Sequence, residues 1–261
     1  MEYFVPLSLN RAEKLKKKLK GSFYLAGGTM LNWRGAPQAK ALIDLKELNT
    51  QEIEASKNKI IIGAGVTIQE LALSKKVPPE IAKAAGTFTS INVRNIATVG
   101  GAAASGFFIS SLLPVFAAYE AEVEYYLSGK KKSSPLAAWL KSKKGIVCAV
   151  TIKKSARKVA FTEDKIAASD FPAIVTALGI DLHGGKIANA VVAVSGAKGP
   201  LAVSEKASQY LNGLKPSAVD TCKLCAAALK DIPAAANVKV SARVKQRMIE
   251  SHLASLLRKL L

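Results

Sequence analysis

The chain has few of the side chains that ligate metals or move protons. Its 261 residues include three cysteines, Cys148, Cys222 and Cys225, and two histidines, His183 and His252. An iron–sulfur cluster is commonly held by four thiolates, and a structural zinc site is closed by four ligands. The cysteines here supply neither, so any cluster this protein works with belongs to another chain. The histidines show no ligand-like spacing; no metal is expected, and both read as surface residues. Cys222 and Cys225 stand three apart in an Ala- and Leu-rich run, where they share a helix face and packing is their expected role. No His, Glu or Cys is placed as an obvious general acid or nucleophile, which disfavours hydrolase and transferase chemistry.

Acidic residues are also scarce, 19 against 38 Lys and Arg, for a net charge of +19. Such a field attracts polyanions nonspecifically. The basic residues are spread over many segments, however, without the interleaved aromatics on which single strands stack, so solvated faces are expected and nucleic-acid binding is not. Long apolar runs are missing as well. Gly100 to Tyr119 carries no charge, but Gly100, Gly101, Ser105, Gly106, Ser110, Ser111 and Pro114 interrupt it. A buried loop entering a core helix fits better than a membrane span. The N-terminus has no basic start followed by an apolar run and a small-residue cleavage site, so a cytoplasmic location is expected.

What is present is glycine in pairs. Ala26-Gly27-Gly28-Thr29 follows the strand-like Phe23–Ala26 and precedes the strand-like Ala41–Leu45, and Arg94-Asn95-Ile96-Ala97-Thr98-Val99-Gly100-Gly101 lies seventy residues on. Glycine lets backbone N–H groups approach an anion with no Cβ in the way, and successive N–H groups form an anion-binding concavity. Two such turns suggest one anion held from both sides. A third pair, Gly184-Gly185, sits between alternating strand residues and reads as an ordinary two-residue hairpin turn.

The two motifs, with Ile62-Gly63-Ala64-Gly65-Val66-Thr67, Leu112-Leu113-Pro114 and Ser169-Asp170-Phe171-Pro172 in order, resemble the FAD-binding medium subunit of the molybdenum hydroxylases: xanthine dehydrogenases, carbon monoxide dehydrogenases and aldehyde oxidoreductases. The resemblance runs from Tyr3 to Leu261. It implies an α+β fold, in which a two-lobed FAD-binding domain of the PCMH type spans 1–152, with lobes of about 1–55 and 56–152. An α+β domain follows at 157–261, with a three-stranded sheet and helices. It also implies that FAD lies between the lobes. Backbone N–H groups of Gly27, Gly28, Thr29, Gly100 and Gly101 would face the pyrophosphate, and the Thr29 and Thr98 hydroxyls would add donors. Ala26, Met30, Leu31, Ser105 and Ser110 complete the expected contacts. Phe88 matches a position that places an aromatic against the adenine, with a core role as its alternative, and Val147 matches one near the flavin.

Electrons would reach this FAD from a two-iron two-sulfur small subunit, after substrate oxidation in a molybdopterin-binding large subunit, and would leave to nicotinamide, a quinone or another acceptor. One departure stands out. Where the family writes an Asp that accepts bonds from cofactor hydroxyls, this chain has Ser111. If that contact is used, losing its charge costs about 1–2 kcal/mol of affinity. A flavin-free structural subunit, and a flavoenzyme of the UDP-N-acetylenolpyruvoylglucosamine reductase type, are the competing readings.

Residue patterns predict short helices at Ile68–Leu73 and Pro79–Ala85, a strand at Ile146–Ile152 and a polar linker at Lys153–Arg157. Beyond it they predict strands at Val159–Phe161, Ile174–Leu182 and Ala190–Val194, and helices at Ser204–Leu211, Ser217–Leu229 and Ser241–Leu260. In the last helix Val244, Met248, Ile249, Leu253, Leu256, Leu257 and Leu260 repeat every three or four positions, the stripe of a helix docked on a sheet. Arg243, Lys245, Arg247, Arg258 and Lys259 are assigned to its other face.

Overall fold

The computed structural model describes residues 1–33, 39–48, 51–237 and 240–261. In the first lobe β1 (Glu2–Phe4), β2 (Ser22–Leu25) and β3 (Ala41–Asp44) form a parallel sheet in the order β1-β3-β2, with α1 (Leu9–Lys18) and the short α2 (Thr29–Trp33) as crossovers. The Ser8 side chain caps α1 by accepting the Arg11 N–H. Ala12 and Leu15 bury its apolar side against Ile43 and Leu45.

The second lobe holds β4 (Ile53–Ala55), β5 (Lys59–Gly63), α3 (Ile68–Leu73), α4 (Pro79–Gly86), α5 (Ile91–Arg94), α6 (Val99–Ala104) and α7 (Leu112–Ala118). It continues through β6 (Glu122–Leu127), β7 (Lys130–Pro135), α8 (Leu136–Ser142) and β8 (Ile146–Lys153). Its five strands form an antiparallel sheet in the order β4-β5-β8-β6-β7. Helix α3 begins where the sequence predicts because Thr67 and Glu70 make a reciprocal capping box: the Glu70 N–H donates to Thr67 Oγ1, and the Thr67 N–H to Glu70 Oε2 at 2.7 Å. Every residue of α7 is buried, which explains the long uncharged window. Among the described residues, no helix is long and apolar enough to cross a membrane.

The rest of the chain comprises β9 (Lys158–Asp164), β10 (Ile174–His183), β11 (Lys186–Ser195), β12 (Ala202–Ser204), α9 (Glu205–Leu211), α10 (Thr221–Asp231) and α11 (Ala242–Leu260). The three expected strands are joined by a fourth, β12, so the sheet runs β12-β11-β10-β9. It is buried on both faces, and side chains alternate between them along β10. Val175 and Ala177 share a core with α7 and the second lobe, whereas Ile174, Leu178 and Ile180 pack with α9, α10 and α11. The hydrophobic core therefore continues across the linker.

Several expectations change here. The linker is polar in sequence, but the Arg157 side chain is 3% exposed and pairs with Asp181 at 3.1 Å and Glu120 at 3.2 Å. It also donates to the carbonyls of Ala118 and Asn189, which makes it a clamp between the sheet and the end of α7. The helix expected from Ser217 starts later: Pro216–Ala218 is a separate 3-10 turn, and Asp220 caps α10 by accepting the N–H groups of Cys222 and Lys223. Cys225 is buried in the packing face of α10, but Cys222 is exposed. Lys245 is buried rather than on the outer face of α11, its stem packed inward and its Nζ donating to the Gly196 carbonyl at 2.7 Å.

His252 is likewise a core residue and not a surface one. It is 5% exposed, with Nε2 2.9 Å from Asp164 Oδ2 and Nδ1 3.1 Å from Thr176 Oγ1. Burial lowers its pKa, opposed by the neighbouring Asp164 carboxylate. The neutral ring fits both contacts, with Nε2–H donating to Asp164 and the Thr176 hydroxyl donating to Nδ1. His183, at the end of β10, is exposed.

Candidate functional site

The two glycine motifs meet. Gly27, in the turn between β2 and α2, lies against the Ile96–Ala97 backbone so closely that an added Cβ would stand 2.0 Å from the Ile96 carbonyl oxygen. Gly100 is equally confined, since its Cβ would fall 2.7 Å from that of Ala64. The contact closes one wall of a cleft of about 860 Å³ between the lobes. Ala26, Gly27, Gly28, Thr29, Met30, Leu31, Phe88, Thr98, Gly100, Gly101, Ser105, Ser110 and Val147 all line it.

The donors divide unequally between the motifs. Among the described residues, the N–H groups of Gly27 and Gly28 make no hydrogen bond, and Gly28 holds φ +70, which only glycine adopts at no steric cost. The second motif spends its donors internally, contrary to the expectation from sequence. The Gly100 N–H donates to the Ala64 carbonyl at 2.9 Å, and the Gly101 N–H to Thr98 Oγ1 at 3.1 Å, capping α6. Thr98 still offers a hydroxyl proton to the cleft, because a hydroxyl accepts and donates at once. Ser110 is placed similarly: its Oγ accepts from the Leu112 and Leu113 N–H groups at 3.2 Å.

Ser111 is not among the lining residues. It is 2% exposed and its hydroxyl donates to Glu163 Oε2 at 2.7 Å, on β9. The position expected to meet a cofactor instead ties the cleft loop to the C-terminal sheet. Glu163 also pairs with Lys165 at 3.2 Å, and Lys165 donates to the Thr87 carbonyl just before Phe88.

Other lining residues were not expected at the cleft, although Phe171 belongs to one of the motifs that carry the resemblance. Phe107 and Phe171 meet with ring centroids 4.7 Å apart, forming an apolar wall from segments sixty residues apart. Thr89 lines the cleft at φ +46, and its Oγ1 is buried with no partner among the described residues. Lys16, Lys17 and Lys143 also line the cleft, and Lys17 pairs at 3.3 Å with Glu13, the one carboxylate among the described lining residues. Lys16 Nζ donates to the Ser22 carbonyl and lies 5.3 Å above the Phe23 ring. Burial lowers its pKa and pushes the Tyr24 hydroxyl up to about 12, assisted by Glu13. Glu13 itself is held below the usual carboxylate range, chiefly by the Ser128 N–H.

Neither histidine nor cysteine is among the lining residues, and no group of three or more metal-ligating side chains occurs among the described residues. An apolar wall, a confined glycine turn with unpaired donors and a cationic rim suit a flat ring system joined to an anion. They offer no proton relay.

Comparisons with known proteins agree with this geometry. Residues 1–152 match the family model described as the FAD binding domain in molybdopterin dehydrogenase. The uncharacterized protein YgfM of Escherichia coli K12 is 31% identical over 126 residues, 48% of this chain and 49% of that protein. The chain thus spans about half the length of the curated relatives it matches. In fold, the whole chain superposes on 96% of a chain of quinoline 2-oxidoreductase from Pseudomonas putida 86, with a TM-score of 0.85 and 19% identity. It also superposes on 98% of a chain of carbon monoxide dehydrogenase from Hydrogenophaga pseudoflava, with a TM-score of 0.89 and 20% identity. Because the family match takes in more than half of its residues, the chain belongs to the family of FAD-binding domains of molybdopterin dehydrogenases.

Proposed function

We propose that this chain is the FAD-carrying, electron-transferring subunit of a molybdenum hydroxylase-type oxidoreductase, built from an FAD-binding unit at 1–152 and a C-terminal unit at 157–261. The observation that carries the reading is the closure of Gly27 onto Ile96–Ala97 at one cleft, beside Gly27 and Gly28 N–H groups that have no partner among the described residues. A pyrophosphate is the group such a turn accommodates, since no Cβ intrudes and both N–H groups lack a partner among the described residues. The residues present fit FAD. Gly27, Gly28 and Thr29 would hold the pyrophosphate, with the Thr98 and Ser110 hydroxyls as further donors. Ala26, Met30, Leu31, Phe88, Gly100, Gly101, Ser105 and Val147 would shape the walls, and Lys16, Lys17 and Lys143 would balance the negative charge.

FAD, when bound, supplies the redox chemistry, and the protein supplies position and electrostatics. This chain's share is to orient the cofactor, shield it with Phe107 and Phe171, and leave one edge reachable. Its three cysteines, with Cys225 buried on α10, leave cluster ligation to another chain. The proposed partners are accordingly a two-iron two-sulfur small subunit and a molybdopterin-binding large subunit, with nicotinamide or a quinone as terminal acceptor. Absorbance of the purified chain after incubation with FAD and desalting tests the reading. Retained flavin bands near one equivalent are expected. A colourless protein would support the flavin-free structural subunit instead, a reading favoured by the commitment of Ser111 to Glu163.

A further inference from the structure

Three segments distant in sequence bring lysines to one side of the cleft. On α1, Lys16 and Lys17 line the cleft, whereas Arg11 lines a separate pocket with Phe4–Ser8; β7 carries Lys130, Lys131 and Lys132, and Lys141, Lys143 and Lys144 end α8 and begin the turn after it. Eight lysines against three carboxylates, Glu13 on α1 and Glu122 and Glu124 on β6, give this region +5 of the chain's net +19.

Their adjacency is a tertiary fact. Glu13 on α1 accepts the N–H of Ser128 at 2.7 Å, so the tip of the β6–β7 hairpin rests on the helix. Gly145 is pressed on the hairpin from the other side, where an added Cβ would stand 2.5 Å from the Tyr126 carbonyl oxygen. Lys17 and Lys143 are exposed and line the same cleft, which puts them at its mouth. Lys130–Lys132 are exposed on β7, the edge strand of the five-stranded sheet. Among the described residues, the only ion pair in the rim is Lys17–Glu13 at 3.3 Å.

Local causes explain each segment but not their convergence. Cations in the last turn of α1 complement the helix dipole, and lysines on an edge strand discourage pairing with another sheet. Neither calls for the three segments to share a rim, where like charges within a Debye length of about 8 Å repel one another. A partner rich in carboxylates would offset that repulsion. We infer that the lysine rim formed by α1, the β6–β7 hairpin and the turn after α8 is the docking surface for an acidic redox protein seated over the mouth of the cleft. The redox character of the partner rests on the FAD reading above; the acidic character rests on the rim alone. A protein rather than a nucleic acid fits because Trp139 is buried, Tyr125 and Tyr126 are partly buried and the exposed Phe23 ring lies under Lys16 Nζ at 5.3 Å, so the described rim has no ladder of exposed rings on which successive bases could stack.

The test uses the full chain and an acidic plant-type two-iron two-sulfur ferredoxin as probe, with association rates followed from about 0.05 to 0.5 M salt. The variants are K130E/K131E/K132E, the neutral K130Q/K131Q/K132Q, and a control reversal on the C-terminal helices, K206E/K230E/R247E; melting curves and flavin content are read on each. None of these residues lines the cleft. We expect the rim reversal to slow association about tenfold or more at low salt, the neutral variant to fall between it and wild type, and the control to stay within about twofold. Equal effects of rim and control reversals, or a rate indifferent to salt, would overturn the proposal. So would a DNA or RNA oligonucleotide that binds at physiological salt and outcompetes ferredoxin for the rim. A flavin-loaded chain that ignores ferredoxin removes the docking surface and leaves the FAD reading intact. A chain that takes up no flavin yet binds ferredoxin through the rim keeps the acidic partner and removes its redox role.

Discussion

An added Cβ at Gly27 would stand 2.0 Å from a backbone oxygen, whereas at Gly184 or Gly185 it would meet nothing within 4 Å. The same dipeptide thus does different work in the two halves of the molecule. Between β10 and β11 the pair supplies positive φ, +57 and +72, for a two-residue turn, a purely local requirement. In the cleft, the first glycine is required because a second stretch of chain lies on top of it. A glycine pair in a sequence is therefore ambiguous until its surroundings are known, and the decisive quantity is the space around the Cα.

The largest effect should come from filling that space. Gly27→Ala drives a methyl into the Ile96 carbonyl, and we expect loss of flavin together with about 3 kcal/mol of stability. Flavin content and urea unfolding of the purified variant check this; wild-type values for both would dissolve the distinction between the two turns. Next comes Ser111→Asp, which joins the two regions. The family resemblance predicts tighter FAD, but the structure sets the new carboxylate beside Glu163 with little solvent to screen the pair. Destabilisation of about 2 kcal/mol, without any gain in flavin affinity, is the expected outcome. Titration with FAD alongside denaturant melts measures both, and tighter binding would return Ser111 to the cleft.

A smaller effect belongs to the C-terminal half alone. Burial holds the His252 pKa below its ordinary 6.5, so on acidification the unfolded chain takes up a proton before the folded one does. The stability contributed by the neutral ring is full above pH 6.5 and is lost as pH falls below it. Melting temperature should decline below pH 6.5 in the wild type and less steeply in His252→Gln, with Asp164, Glu163 and Lys259 as the charged groups near the ring. Parallel pH profiles for the two proteins would show that the ring is charged in the folded state. The smallest effect is expected for Gly184→Asn, since Asn tolerates left-handed backbone. Thermal melting should reveal a change of no more than about 0.5 kcal/mol and unaltered flavin content.

Local signals in the sequence were reliable where one segment decides its own structure. Helix α3 begins and α11 ends where expected, and the apolar stripe through Ile249, Leu253, Leu256, Leu257 and Leu260 is the buried side of α11, although Val244, expected in the same stripe, is exposed. The glycine motifs, too, were legible as turns, but which of them lies under a second stretch of chain was not. Reading failed for polar side chains whose partners lie far along the chain. His252, Lys245 and Arg157 look like solvent-facing residues until Asp164, the Gly196 carbonyl and Asp181 are brought to them. Ser111 is the same failure at the site itself, since its acceptor comes from another sheet.

The sequence by itself determined the glycine turns, the caps, the strand and helix order and the excess of positive charge, all of which depend on residues within a few positions of one another or on composition. Only the tertiary structure decided which N–H groups of the two motifs stay unpaired, which polar side chains are buried, and that three lysine segments share one rim. Those outcomes depend on distances between segments separated by tens to more than a hundred residues. Such distances are fixed by how the sheets and helices pack, and no local pattern of residue types encodes them.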